Sequence, residues 1–384
     1  MITLPSQRHL FDIPDHVAYF NCAYYSPQLN ASKLRLIEGV ESKSHPWNRV
    51  PYHFFADAEK IRQLASELFG GDADGYAIVP AASYGLSTAA RAIEPQLKKN
   101  DQILVIAEEF PSNVLPWQRV ATETGASILT VPTPADSDWT KAILNHLNKN
   151  VKVVAIPNCH WTNGAIIDLV AIAKACRTLG TILVVDATQS LGAMPISIDE
   201  VKPDFLVAAG YKWLLGPYGS GVFYVSPTWR NSRPLEESWL VRENAEDFAG
   251  LVNYSPRYMS GARKFDVGEK GMSTILPGLV ASLEQIKAWG IPQIAETLNK
   301  INQEIKTYLE QSGFQTIPRE MGSPQILGAL LPKGYNGNLV NDLRNNNIYI
   351  SQRGNSLRFA PHLHVNDNDI DRLVSTLTKL VLRG

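Results

Sequence analysis

Between residues 76 and 225, short apolar runs alternate with longer amphipathic stretches, and this alternation leaves few architectures open. The runs are Tyr76 to Val79, Gln102 to Ile106, Ser127 to Val131, Lys152 to Ile156, Thr181 to Asp186, Phe205 to Ala208 and Gly221 to Val225. Most are rich in Val and Ile and do not alternate with polar residues, as expected for strands buried on both faces of a largely parallel sheet. A helical pattern between two of them runs through Leu169, Ile172, Ala173 and Cys176, with Asp168 at its start and Gly180 as its stop. Strand, helix, strand in this order predicts a doubly wound α/β domain.

The last third predicts a smaller α+β unit. A helical pattern runs from Pro277 towards Leu309, interrupted around Gly290 to Pro292. Short strands follow at Gln325 to Leu331, Ile348 to Ser351 and Leu357 to Phe359, then a final helix from Asn366 to Leu382. The expected division is a large domain over residues 21–275, a small C-terminal domain over 276–384, and an N-terminal segment, 1–20, packing with the small domain.

Composition narrows the function. The chain has 384 residues, 45% hydrophobic and 19% charged, which suffices for a packed core and rules out a disordered chain. Lys and Arg number 36 against 37 Asp and Glu, so no basic surplus exists to neutralise a nucleic-acid backbone. No apolar run is long enough to span a bilayer, and the first residues lack the apolar core of a secretory signal. A cytoplasmic protein is expected. Cys22, Cys159 and Cys176 are odd in number and spaced for neither a disulfide framework nor a zinc site, so no metal is expected.

Ligands of open α/β sheets bind beyond the carboxyl ends of the strands. Three strand ends carry chemistry: Asp186 ends Thr181-Ile-Leu-Val-Val-Asp186, Lys212 ends Phe205-Leu-Val-Ala-Ala-Gly-Tyr-Lys212, and Pro80-Ala-Ala-Ser-Tyr-Gly85 is a small-residue turn entering a helix. Singly, each has an ordinary explanation: a helix cap, a solvated lysine, a tight turn. Together they supply what pyridoxal 5'-phosphate needs, namely a Schiff-base lysine, an acidic partner for the pyridine nitrogen, and helix-terminal amides for the phosphate.

Asp186-x-x-Gln189, followed by Gly210-Tyr-Lys-Trp-Leu-Leu-Gly-Pro-Tyr-Gly-Ser-Gly221, resembles the class V aminotransferase family of fold-type I pyridoxal phosphate enzymes, which includes cysteine desulfurases, kynureninases and isopenicillin N epimerase-like proteins. The resemblance runs from Ala18-Tyr-Phe-Asn-Cys-Ala-Tyr-Tyr-Ser26 to Leu357-Arg-Phe-Ala-Pro-His-Leu-His364. It implies that Lys212 forms the Schiff base and that Asp186 keeps the ring nitrogen protonated. Gln189 and Asn163 would approach the phenolic oxygen, Phe110 would stack on the ring, and His160 would lie beside it. Ala82, Ser83 and Tyr211 would hold the phosphate, with the Tyr84 amide a further candidate, and Arg358 would grip the substrate carboxylate. A homodimer with shared active sites and a small amino-acid substrate are implied as well.

The chain departs from the family pattern in three places. Desulfurases carry a nucleophilic cysteine shortly before the substrate arginine, whereas Asn341 to Arg358 contains none. Ala209 stands where many relatives have Ser or Thr. Gly268-Glu269 replaces the Gly-Thr that reaches the partner's phosphate. The resemblance therefore implies an aminotransferase first, with a pyruvate-forming C–S or β-lyase as alternative. A cofactor-binding scaffold without catalysis is the remaining reading.

Overall fold

A computed structural model describes residues 2–333, 335 and 337–381; Leu382, the expected end of the last helix, lies outside the described residues. Thirteen strands occur among the described residues: β1 (Ala18–Tyr19), β2 (Tyr76–Ile78), β3 (Gln102–Ile106), β4 (Ser127–Val131), β5 (Val151–Pro157), β6 (Ile182–Asp186), β7 (Phe205–Ala209), β8 (Gly221–Val225), β9 (Gln315–Thr316), β10 (Leu327–Leu330), β11 (Ile348–Tyr349), β12 (Ser351–Arg353) and β13 (Ser356–Phe359). The large sheet has the order β2-β8-β7-β6-β5-β3-β4. The pairs from β7 through β4 are parallel, and β8 is antiparallel to both of its neighbours. This is the doubly wound α/β architecture expected of the run pattern. β4 is the exception to two-sided burial: it lies at an edge, and only Val131 is buried along it.

Helices cover both faces, over two separate apolar clusters. Asp168 caps the helix Leu169–Leu179 by accepting from the amides of Val170 and Ala171, and Gly180 ends it at φ +67°. The helix Ala82–Ile93 approaches the sheet closely at Gly85. A Cβ there would stand 2.7 Å from a Val207 methyl, so glycine lets the helix sit low enough to aim its N-terminus across the strand ends.

A second, four-stranded sheet has the order β12-β13-β10-β9, and β1 pairs in parallel with β11. The segment expected as one strand, Ile348 to Ser351, is split: its first two residues pair with β1, and from Ser351 the chain joins β13 instead. Ala18 and Phe20 are buried in one cluster with Ile305, Leu343 and Phe359. The helix Leu276–Trp289, which the division at residue 275 assigns to the small unit, buries Leu276, Leu279, Leu283 and Ile286 in the main core. Its stripe of apolar residues meets the helices Asn30–Lys43 and Ala56–Phe69.

Candidate active site

A cavity of about 190 Å³ lies beyond the carboxyl ends of β2, β3, β5, β6 and β7. Its floor is the start of the helix Ala82–Ile93. Ala81, the residue before that helix, offers no side-chain cap, and the amides of Ala82 and Ser83 take no partner among the described residues. Such a helix end is an anion site by geometry and dipole. The Tyr84 amide is not available in the same way, because it donates to the Ala81 carbonyl at 3.1 Å.

Lys212 enters from the loop after β7 and is only 5% exposed. Burial lowers its ammonium to about 8, against the pull of Asp186. Its Nζ lies 5.3 Å from the centre of the Phe110 ring and 5.7 Å from that of Tyr211. Asp186, at the end of β6, is equally buried and accepts from the Thr188 amide at 3.0 Å. Burial raises its carboxyl, while Thr188 and Lys212 act in the opposite direction. Gln189 lines the cavity, but its side chain is already engaged: Nε2 donates to the Ala23 carbonyl at 3.1 Å and Oε1 accepts from the Trp213 indole at 3.1 Å. Thr188 Oγ1 accepts from the Ala209 amide at 3.2 Å, and Thr188 lines the cavity itself.

Phe110 forms the aromatic wall, edge-on to Trp161 with ring centres 5.4 Å apart. Glu109 holds that wall from behind by accepting from the Phe110 amide at 2.6 Å. Burial, and next the charge of Asp186, push the Glu109 carboxyl up to about 8, while its contacts with Phe110 and Asn113 act the other way. The folded protein therefore holds this proton more tightly than the unfolded chain does. The stability penalty is absent below the ordinary value of 4.5 and grows until about pH 8. Glu109→Gln is expected to raise the melting temperature of the apoprotein by about 2–4 °C at pH 8 and to change it little near pH 4.5. Thermal unfolding at both pH values checks this; an equal gain at both would trace the effect to packing.

A second chamber of about 340 Å³ opens outward past Lys212, Phe110 and Trp161 and is lined by Arg358 and Arg353. Arg358, on β13, is 1% exposed. Its Nε donates to Ser351 Oγ at 3.2 Å and its Nη1 to the Trp161 carbonyl at 2.7 Å, while Nη2 is buried without a partner among the described residues. Burial lowers its guanidinium to about 9. A buried guanidinium without a carboxylate is costly unless an anionic ligand completes it.

Not every candidate converges. His160 lies outside both linings: it stacks on Trp139 at 5.2 Å, with Nδ1 on Thr162 Oγ1 at 2.7 Å and Nε2 on the Ala107 carbonyl at 3.2 Å. Asn163 is also outside, its Oδ1 accepting from the Ala165 amide at 3.0 Å within the turn that closes at Gly164. Gly164 sits at φ +78°, where a Cβ would meet the Ile326 carbonyl at 2.4 Å, so the turn is packed onto the small sheet. Glu269 is exposed, and the Gly268 amide donates to Glu236 at 2.6 Å. Conversely, Cys159, Trp161, Thr188 and Glu109 line the inner cavity without having been singled out for it. Cys159 and Trp161 flank His160 in sequence, and it is these neighbours, not His160, that line the cavity. The Cys159 thiol is buried and pushed up to about 12 by burial.

The donor set fits pyridoxal phosphate: unpaired helix amides for a phosphate, a buried carboxylate for a pyridinium, an aromatic wall, and a lysine whose amine burial brings towards neutrality. Fold and site thus define a fold-type I pyridoxal phosphate enzyme. The family described as Aminotransferase class-V matches residues 48–364, and the chain belongs to that family. It is 25% identical to the uncharacterized aminotransferase YcbU of Bacillus subtilis over 80% of this chain and 79% of that one. It is 27% identical to a probable cysteine desulfurase of Pyrococcus abyssi over 63% of this chain, a match spanning 59% of that protein. Among solved structures, the apo cysteine desulfurase of Thermococcus onnurineus NA1 superposes with a TM-score of 0.84 at 19% identity, covering 100% of both chains. A mutant of C-DES with glycine covalently linked to its pyridoxal phosphate cofactor superposes at 0.89 with 18% identity, over 97% of this chain and 99% of that one. These structures share the fold.

Proposed function

We propose that the protein is an aminotransferase acting on a small amino acid, with Lys212 as the covalent anchor of pyridoxal phosphate and the proton carrier at the substrate Cα. The observation that carries this reading is the buried Arg358 guanidinium, whose Nη2 has no partner among the described residues, on the chamber that opens onto Lys212. An α-carboxylate held there brings its Cα towards a lysine amine that burial has moved to about 8. When bound, the cofactor supplies an electron sink for the charge left at Cα. In this reading Asp186 would hold the pyridine nitrogen, Ala82, Ser83 and Tyr211 the phosphate, Phe110 would cover the ring and Gln189 would approach the phenolic oxygen. His160 and Asn163 lie outside both cavity linings, and we assign neither to the cofactor.

A pyruvate-forming C–S or β-lyase is the second reading, because the cystine C–S lyase C-DES, in complex with its reaction product cysteine persulfide, shares this fold at a TM-score of 0.85 and 19% identity. Persulfide chemistry on a protein cysteine is disfavoured. The chain around Arg358 offers Ser351, Gln352, Arg353 and Ser356, and all three cysteines are buried with thiols raised by burial. The test is to incubate the holoenzyme with single amino acids. Formation of pyridoxamine phosphate with the matching oxo acid is expected; pyruvate and ammonia without it would establish the lyase instead. Any sulfide from cysteine is expected to come with pyruvate, not alanine, and to persist when Cys22, Cys159 and Cys176 are all changed to Ser. Alanine lost with those cysteines would refute this.

The assembly is a homodimer in this reading. Leu34, Ile37 and Val40 are exposed on one side of the helix Asn30–Lys43, and Trp47 and Tyr52 just beyond it are more than 60% exposed. Light scattering showing an active monomer would contradict the dimer. No described helix is long and apolar enough to cross a membrane. The free, buried cysteines suit the reducing cytoplasm.

A further inference from the structure

The outer chamber holds more positive charge than one α-carboxylate can neutralise. Arg353 and Arg358 both line it beside Lys212, the cofactor's anchor, and no Asp or Glu does. In the antiparallel pair of β12 and β13, Ser351 stands opposite Arg358 and Arg353 opposite Ser356. Arg353 is two residues along from Ser351, and Ser351 Oγ touches Arg358, so both arginines occupy one face of the sheet as diagonal neighbours. Such positions lie about 7–8 Å apart, so two extended arginine side chains can present their forks to two separate anionic groups.

The two guanidinium groups are also held differently. Arg358 is fixed from below by Ser351 and the Trp161 carbonyl. Arg353 sits at the rim, its guanidinium carbon 5.8 Å from the Trp161 ring centre and 5.9 Å from that of Tyr24. Its only polar contact among the described residues is Nη1 to the neighbouring Gln352 carbonyl at 2.8 Å. Like charge from Arg353 lowers both Arg358 and Lys212, so an anion between the arginines relieves repulsion on both.

We propose that Arg353 is a specificity-determining residue that binds a second anionic group, on the substrate's side chain, so that the preferred substrate class is acidic amino acids carrying a side-chain carboxylate or sulfinate. This rests on reading the Lys212 cavity as a pyridoxal phosphate site for amino acids. Arg358 holds the α-carboxylate, Arg353 the distal anion, and the aromatic faces of Trp161 and Tyr24 flank the carbon chain.

Calorimetric titration of the cofactor-loaded protein with succinate and with succinamate, in which an amide replaces one carboxylate, tests the assignment. Succinate is expected to bind about tenfold or more tightly than succinamate, beyond the statistical factor of about two. Arg353→Gln is expected to bring succinate to the succinamate level and to leave succinamate within about twofold. Arg353→Lys, which keeps the charge, is expected to retain a preference for succinate. Equal binding of the two ligands by the loaded wild-type protein overturns the role of Arg353 alone, as does an equal loss of both in Arg353→Gln, which would place both arginines on one carboxylate. A protein that takes up no cofactor on Lys212 overturns the underlying site reading and this proposal with it.

Discussion

Borohydride reduction of the holoenzyme is expected to leave a pyridoxyl group on Lys212, and Lys212→Ala to take up no covalent label and to lose about 10³-fold or more in activity. Three lysines among the described residues are buried, Lys212, Lys264 and Lys270, and their surroundings separate them: Lys264 donates to the Ser232 carbonyl at 3.2 Å and lines neither chamber. Lys270 is fully buried, but its ammonium is 3.0 Å from Asp266, which also pairs with Arg62 and accepts from the Ile78 amide. Burial lowers that ammonium too, with Asp266 acting the other way, but the ion pair ties the lysine into a structural cluster. Lys212 has aromatic rings over its amine and no carboxylate within ion-pair distance among the described residues. With its ammonium lowered to about 8, a usable fraction is neutral near physiological pH, as a nucleophilic amine requires. Peptide mapping of the reduced protein decides the matter: label on Lys270 or another lysine would remove the basis of the proposed function.

Arg358→Met is expected to lower kcat/KM for amino acids by about 10²–10³-fold and, in the same protein, to raise the thermal stability of the ligand-free form. The two effects share one cause. Burial has moved this guanidinium down to about 9 from 12.5, so the folded state binds its proton less tightly than the unfolded chain, and folding bears a penalty at neutral pH. An apolar side chain of similar length removes that penalty and leaves the substrate carboxylate unmatched. Arg358→Lys is expected to recover little, since an ammonium cannot reproduce the fork fixed by Ser351 and Trp161. Steady-state kinetics and thermal unfolding read the two effects separately. A variant that loses stability and activity together would assign Arg358 to the scaffold.

The parts of the site that could be read from the sequence are those tied to strand ends. Asp186 and Lys212 end apolar runs, and a run's end in an open α/β sheet is a location in space as well as in sequence. The same holds for Ala82 and Ser83, which open a helix directly behind β2. Side-chain direction inside loops was not legible. The resemblance points to His160 and Asn163, yet a turn closed by a left-handed glycine sends His160 back onto Trp139 and presents Trp161 and Cys159 to the cavity. Glu109 carries no sequence signal of its own, because a lone carboxylate beside an aromatic residue has no spacing that separates buried from exposed. Only the third dimension shows it buried behind Phe110, near Asp186. In the small unit, a single apolar run at Ile348 to Ser351 carried no sign that its halves serve different sheets, because pairing partners far apart in sequence set that break.

The parallel pairing of β1 with β11 joins Ala18 to Ile348, a separation of 348 − 18 = 330 residues. A chain emerging from the ribosome exposes its first strand long before the partner strand exists, and closing so wide a loop is entropically unfavourable and slow. The seven-stranded sheet can assemble without that contact, since all of its strands lie between Tyr76 and Val225. The order of events this implies is sheet first, with the clasp between the two ends of the chain last. β12 and β13 directly follow β11, so Ser351 and the two arginines of the outer chamber are locked into register only as the clasp closes. During synthesis, the cofactor's cavity matures ahead of the substrate's.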